Sequence, residues 1–241
     1  LQGKQANPEG YLLFNDPGRA GCLAFSEQPD QPPMVPQGRE FALAELLAAA
    51  QAVEAGGNVE PELLKALHPG SGGARPKCSI TAQGESWIAK FSSLDDRYIS
   101  IPRLEHATMM LARECGVDAA ETQLREIGGQ DICLVRRFDR VVHQAASGIA
   151  TRRGFLSART VFYDDPAYAA VGAGSYQRLS RWMPRYGASR ADQQQLFLRM
   201  VFNAVVRNDD DHEQNHGLVH VRADRFSLAP AYDIVPNLQP R

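Results

Sequence analysis

An α+β fold in two lobes, the first rich in strands and the second mainly helical, is what the sequence predicts. Three observations lead there. The 241 residues are 44% hydrophobic and 22% charged, enough for one large domain or two small lobes without disulfide or metal staples. Residues 78–140 set short β-type runs around a single helical pattern. Residues 175–207 carry two helical patterns, followed by two short strands.

In chain order, "REFALAELLAAAQAVEAG" (39–56) is built from strong helix formers and stops at Gly56-Gly57, so it reads as a helix with a glycine end. "EPELLKALH" (60–68) is a second, short helix, and "PGSGGARPK" (69–77) is too rich in Gly and Pro for regular structure. "CSITAQGESWIAKF" (78–91) reads as two strands around a turn at Gln83-Gly84. Trp87 and Ala89 then share one face, while Ile88 and Lys90 share the other, expected to point inward.

"IPRLEHATMMLARECG" (101–116) predicts a helix opened by Pro102 and closed by Gly116, with Leu104, Ala107, Leu111, Ala112 and Cys115 as its apolar stripe. "ETQLREIGGQDICLVRRFDR" (121–140) predicts a hairpin turning at Gly128-Gly129. "VVHQAASGIATRRG" (141–154) reads as a polar connection. Helices follow over 175–186 and 191–207, the second with Leu196, Phe197, Met200, Val201, Ala204 and Val205 on one broad face, and then the strands "GLVHV" and "FSLA". The expected division is an N-terminal lobe of residues 1–140, with a glycine-rich loop, and a C-terminal lobe of residues 141–241. This is the layout of a two-lobed kinase.

Composition narrows the function classes. A net charge of −2 gives no electrostatic footprint for direct binding of nucleic acid or an anionic membrane. No apolar run approaches the roughly 20 residues of a membrane span, and "LQGKQANPEG" has no signal-peptide core. Cys22, Cys78, Cys115 and Cys133 are scattered, as suits reduced thiols in the core of a cytoplasmic protein.

The stretch "RNDDDHEQNH" (207–216) holds two competing signatures. His212, Glu213 and His216 spell H-E-x-x-H, a zinc-hydrolase pattern that needs a helix and a third ligand. Asn208 and three aspartates are poor helix formers, Gly217 and a β-type run follow at once, and no glutamate lies beyond Glu213. That reading ranks third. Asp210 and Asn215 spell D-x-x-x-x-N, the spacing of a kinase catalytic loop. Phosphoryl transfer needs a loop over the phosphates, a strand lysine, a helix glutamate to hold it, an aspartate at the acceptor hydroxyl, and Asn and Asp ligands for Mg²⁺. "GSGGARPK", Lys90, Glu105, Asp210, Asn215 and Asp233 occur in that order. Each alone is commonplace, since most charges are surface charges. Their joint order and spacing favour one site.

"GGARPK", "WIAKF", "LVRRFDR", "LSART", "NDDDHEQNH" and "PAYDIVP" together resemble the HipA family of bacterial type II toxin-antitoxin serine/threonine kinases, over nearly the whole chain from Pro8 onward. The resemblance implies a divergent protein-kinase-like (HipA-like) fold, ATP- and Mg²⁺-dependent phosphorylation of a protein Ser or Thr, and toxin action through targets such as aminoacyl-tRNA synthetases. It implies a helix-turn-helix, HipB-like antitoxin as partner, with DNA engaged only through that partner and no membrane.

Carried over by resemblance, Asp210 is the catalytic residue, Asn215 and Asp233 the Mg²⁺ ligands, and Lys90, held by Glu105, the ATP lysine. Gly72, Gly73, Ala74, Arg75, Pro76 and Lys77 would form the phosphate loop. Arg136, Arg137 and Phe138 would lie at the adenine hinge, and His212, Glu213 and Gln214 would flank the nucleotide. Ser71 is the candidate for autophosphorylation, one position from where the family often carries a regulatory serine. The family usually has a basic residue where Gln214 stands, which leaves as an alternative a catalytically impaired kinase-fold module that holds an antitoxin or nucleotide.

Overall fold

The fold is described from a computed structural model, over residues 18–25, 30, 41–67, 75–93, 96, 99–142, 150–163, 165 and 174–238. Helices α1 (Leu43–Glu54) and α2 (Pro61–Ala66) come first. Strands β1 (Lys77–Ala82) and β2 (Glu85–Phe91) meet at Gln83 (φ 53°) and Gly84 (φ 76°), the two positive φ values that a tight two-residue hairpin requires. Helix α3 (Ile101–Glu114) is capped by the Ser100 hydroxyl, which accepts from the Arg103 amide. Strands β3 (Thr122–Ile127) and β4 (Gln130–Arg136) complete an antiparallel sheet of order β1-β2-β4-β3.

Central β4 buries both faces. Ile132 and Leu134 join Trp87, Ala89 and Phe91 of β2 beneath α1. Cys133 and Val135 pack with Met109 and Ala112 of α3, and with Phe202, Ala231 and Ile234 from the far end of the chain. This second core carries the C-terminal half onto the sheet. The same junction is hydrogen-bonded, because the Ala231 amide donates to Asp118 O at 2.7 Å and the Ala120 amide to Ala231 O at 2.8 Å.

Past the sheet, β5 (Arg140–Val142) pairs with β6 (Ala150–Arg152), so the stretch expected to be a mere connection contains a short ribbon. Strand β7 (Phe155–Ser157), unforeseen, pairs with β8 (Gly217–Arg222), which pairs in turn with β9 (Arg225–Leu228). Around that sheet lie α4 (Ala158–Phe162), α5 (Tyr176–Trp182) with a 3₁₀ turn after it (Met183–Tyr186), and the long α6 (Arg190–Val206).

Two expected helix faces are corrected. On α3 the buried residues are Pro102, Glu105, Thr108, Met109 and Ala112, whereas Leu111 is 47% exposed. The helix is rotated so that Glu105 reaches the sheet. On α6, Arg199 and Asn203 are buried with Leu196 and Phe202, while Phe197, Val201 and Val205 are exposed. Polar partners, not apolar periodicity, decide that face. The cysteines are corrected too: Cys78 and Cys133 are core residues, but Cys22 and Cys115 are exposed, and all four are free thiols. Among the described residues no helix is long and apolar enough to cross a membrane.

Candidate active site

The face of β2 opposite the α1 core carries Lys90, whose side chain is only 16% exposed. Its ammonium donates to Glu105 Oε1 at 2.6 Å and to Asp233 Oδ1 at 2.7 Å. Burial alone would lower the lysine's pKa, but the two carboxylates outweigh it and hold the group firmly protonated. Burial would likewise raise Asp233, yet Lys90 keeps its pKa below the usual carboxylate range. For Glu105, deeper still, burial dominates and its pKa is raised despite Lys90.

Lys77 lies directly opposite Lys90 in the β1–β2 register, and so on the same face. Its pKa is lowered, first by burial and then by Lys90. Asp233 and Glu105 oppose that lowering, so two lysines and two carboxylates share this face.

Asp233 sits at φ 59°, in the left-handed region that Asp tolerates better than most residues. The residue before it ties the segment to the 208–216 loop, since the Tyr232 hydroxyl donates to Gln214 O at 2.8 Å. The Tyr232 ring also packs against Phe138 and Phe155, with centroids 5.6 and 6.5 Å away. His212 lies close enough to Asp233 to contribute to the lowering of its pKa.

Within the loop, Asn215 is buried and donates from Nδ2 to Asp210 O at 2.8 Å. Asp210 presents its carboxylate outward, 88% exposed, with His212 Nε2 at 3.8 Å. The Gln214 amide donates to His212 Nδ1 at 3.3 Å, and Glu213 O accepts from the Arg159 amide at 3.3 Å. The H-E-x-x-H spacing therefore falls on a turn, not a helix, and His216 Nε2 is committed to Asp211 Oδ1 at 2.8 Å. Among the described residues no group of three or more His, Cys, Asp or Glu side chains is placed to hold a metal by itself. Asn215 Oδ1 and the Asp233 carboxylate are hard oxygen donors of the kind Mg²⁺ takes alongside phosphate oxygens and water.

The two arginines expected at the adenine hinge, Arg136 and Arg137, are both held in ion pairs. The Arg137 guanidinium is buried on Asp139, Ser79 Oγ, Gly18 O and Arg19 O, and its amide donates to Ser86 O. Arg136 pairs with Glu85 and Glu121, and its amide donates to Glu121 O. Their side chains are thus held by carboxylates: Arg137 neutralises buried Asp139, and Arg136 closes the end of β4 on Glu85 and Glu121. Phe138 is half-buried among aromatic rings. Arg75 binds Asp96 Oδ1 and Oδ2, each at 2.8 Å, and Pro76 O accepts from the Phe91 amide. Ser71, Gly72, Gly73 and Ala74 lie outside the described residues. Sequence reasoning missed Tyr176, Arg199 and Asn203, which surround the loop from α5 and α6 without any local motif.

Taken together, the sheet lysine, its helix glutamate and the returning aspartate define a kinase-like α+β protein. Comparison with known proteins places it further: the HipA-like C-terminal domain matches residues 70–241, and the chain belongs to the HipA-like family. Two curated relatives carry the name "Putative kinase". Y4dM of Sinorhizobium fredii is 29% identical over 168 residues, covering 64% of this chain and 38% of that protein. The Haemophilus influenzae protein is 26% identical over 168 residues, covering 65% and 46%. The chain thus spans less than half the length of these relatives. Among solved structures, the HipA–HipB–operator DNA complex of Shewanella oneidensis matches with TM-score 0.67 at 20% identity, over 90% of this chain and 55% of that one. The Helicobacter pylori proinflammatory kinase CtkA matches with TM-score 0.53 at 16% identity, over 67% and 54%. These likenesses establish the shared fold.

Proposed function

We propose that this chain is an ATP- and Mg²⁺-dependent serine/threonine protein kinase of HipA type, the toxin of a toxin-antitoxin pair, built from a nucleotide lobe (1–140) and a second lobe (141–241). The observation that carries the reading is Lys90 held between Glu105 and Asp233. In this reading Lys90 and Lys77 bind phosphate oxygens, Glu105 fixes the Lys90 ammonium, and the loop of residues 72–77 covers the phosphates. Asp233 and Asn215 would hold Mg²⁺, whose chemistry when bound is to offset charge on the phosphates. Asp210, outward and unencumbered by a close ion pair, orients the acceptor hydroxyl and takes its proton. Phosphoryl transfer rests mainly on such positioning.

The Shewanella neighbour is assembled with HipB and operator DNA, which supports a helix-turn-helix antitoxin as partner and contact with DNA through it. A protein hydroxyl, on an aminoacyl-tRNA synthetase or on Ser71 of the chain itself, is the acceptor class, and the cytoplasm is the expected setting. The test is incubation with labelled ATP and Mg²⁺ alongside host protein. Label on a protein Ser or Thr, absent with Asp210→Asn, supports the kinase. Nucleotide binding without any transfer favours the impaired binding module, the reading that Gln214 in a usually basic position keeps open.

A further inference from the structure

Asp210 and Asp211 are adjacent but oppositely placed, with side chains 88% and 16% exposed. Tyr176 and Asn203, outside every motif named above, help make the difference. Asp211 Oδ2 accepts from the Tyr176 phenol at 2.7 Å, and its Oδ1 accepts from His216 Nε2 at 2.8 Å. The phenol oxygen accepts from Asn203 Nδ2 at 2.8 Å, and Asn208 Nδ2 donates to Asn203 Oδ1 at 3.3 Å. Asn203, Asn208 and His216 are all buried. This directional chain of hydrogen bonds starts at Asn208, where α6 hands over to the loop, passes through Asn203 on α6 and Tyr176 on α5, and re-enters the loop at Asp211 and His216. Both ends of the loop are therefore fastened to the helices beneath it.

We infer that Tyr176 is a positioning residue for phosphoryl transfer: by holding the Asp211 carboxylate inward it fixes the loop so that Asp210 is presented to the acceptor. The role rests on the kinase reading and adds to it a residue outside the Lys90, Glu105 and Asp233 cluster. Asp210 is held at a second point as well, through Asn215 Nδ2 on its carbonyl. Two attachments, one on the backbone of Asp210 and one on the next side chain, fix the stretch of backbone from which the carboxylate projects. Arg199, fully buried behind the loop with one hydrogen bond to Ala229 O at 2.7 Å, links the same region to the strand end that precedes Asp233.

Tyr176→Phe removes one oxygen and keeps the ring, including its edge contact with His216 at 4.9 Å between centroids. Because small misplacements of a reacting group are costly, kcat for protein phosphorylation should fall by roughly tenfold or more while KM for Mg-ATP stays within about twofold. Lys77, Lys90, Glu105 and Asp233 are not hydrogen-bond partners of Tyr176, so ATP affinity has no reason to move. Asn203→Ala, which takes a donor from both the phenol and the Asp211 carboxylate but leaves Asp211 its tyrosine, should show a fall of the same kind. It also serves as the test if Tyr176→Phe does not fold. Wild-type kcat in the folded variants overturns the positioning role and leaves the kinase standing. A raised KM for Mg-ATP with unchanged kcat overturns it in favour of a general structural role. No transfer by the wild-type protein, with Mg-ATP bound, removes the kinase reading and this inference with it.

Discussion

Lys90 and Asp233 are 143 residues apart in the chain and 2.7 Å apart in the structure. What joins them is the second core, in which Cys133 and Val135 of the sheet pack against Ala231 and Ile234, and the backbone bonds between Ala231 and the Asp118–Ala120 loop. The ion pair is thus the polar edge of an apolar junction. Its partner Glu105 is buried on the sheet-facing side of α3, so the lysine serves two carboxylates in different surroundings, one deep and one 39% exposed. In the proposed reading the more exposed carboxylate, Asp233, is the one that would take a ligand.

Lys90→Met should therefore cost both stability and nucleotide binding. Breaking a buried pair by removing one partner costs about 3–5 kcal/mol, because the other charge is left without compensation. Glu105 is that other charge, and its already raised pKa should rise further as the lysine that opposes burial is lost. Denaturant melts at neutral pH should show the loss, and Lys90→Met, Glu105→Gln should recover part of it. A single substitution as stable as wild type would show that the pair contributes nothing to the fold.

Asp233→Asn separates charge from backbone shape. Asn also accepts the left-handed conformation, so φ 59° need not change, and Lys90 keeps Glu105. A ligand bound only to the folded state stabilises it by about 2.7 kcal/mol at 100 times Kd. Wild-type protein should melt higher with Mg-ATP, the increment should shrink in EDTA, and Asp233→Asn should lack it. An equal increment in the variant would remove Asp233 from the nucleotide site.

Asp210→Asn and Asp211→Asn should divide activity from stability. The first alters an outward carboxylate, so the melting temperature should hold while phosphotransfer collapses. The second disturbs a carboxylate that accepts from both Tyr176 and His216, and loss of such buried bonds costs roughly 1–3 kcal/mol. Thermal melts beside a labelled-ATP assay read both effects. Equal destabilisation by the two variants would contradict the opposite placement of these neighbours.

The parts of this fold legible in the sequence are those set by local chemistry. Gln83-Gly84 and Gly128-Gly129 mark hairpins because a two-residue turn needs positive φ at both positions, and all four residues have it. Pro102 and Gly116 bracket α3 for equally local reasons. Lys90, Glu105 and Asp233 could be ordered as one site because phosphate chemistry demands that set. Strand β7 was not legible: its partner β8 begins 60 residues later, and three residues carry too little pattern. The buried face of α6 was misread because periodicity assumes apolar residues go inside, while Arg199 and Asn203 are drawn in by Ala229 O and the Tyr176 phenol. Tyr176 itself has no motif, and its role follows only from a contact 35 residues away.

Asp139 gives the last prediction, on pH. Burial would raise its pKa, but hydrogen bonds and charge from Arg137 and Arg140, with the Gly21 amide, hold it below the ordinary carboxylate value. A carboxyl whose folded pKa is depressed contributes stability that is fully present above its unfolded pKa and is lost as pH falls through the folded value. The unfolded value is about 3.9, so the contribution should be intact at neutral pH and should drain away below roughly pH 4. Arg137 also holds the 18–21 segment, through Gly18 O and Arg19 O, so that segment should loosen in the same window. Asp139→Asn should be less stable than wild type by about 3–5 kcal/mol at pH 7, since it strands two largely buried guanidinium groups. Its stability should also fall less steeply in acid, because one depressed carboxyl has been removed. Denaturant melts of both proteins from pH 7 to pH 3 measure this. Parallel curves would show that Asp139 titrates alike in the folded and unfolded chain, and that the buried arginine pair owes its neutralisation to something else.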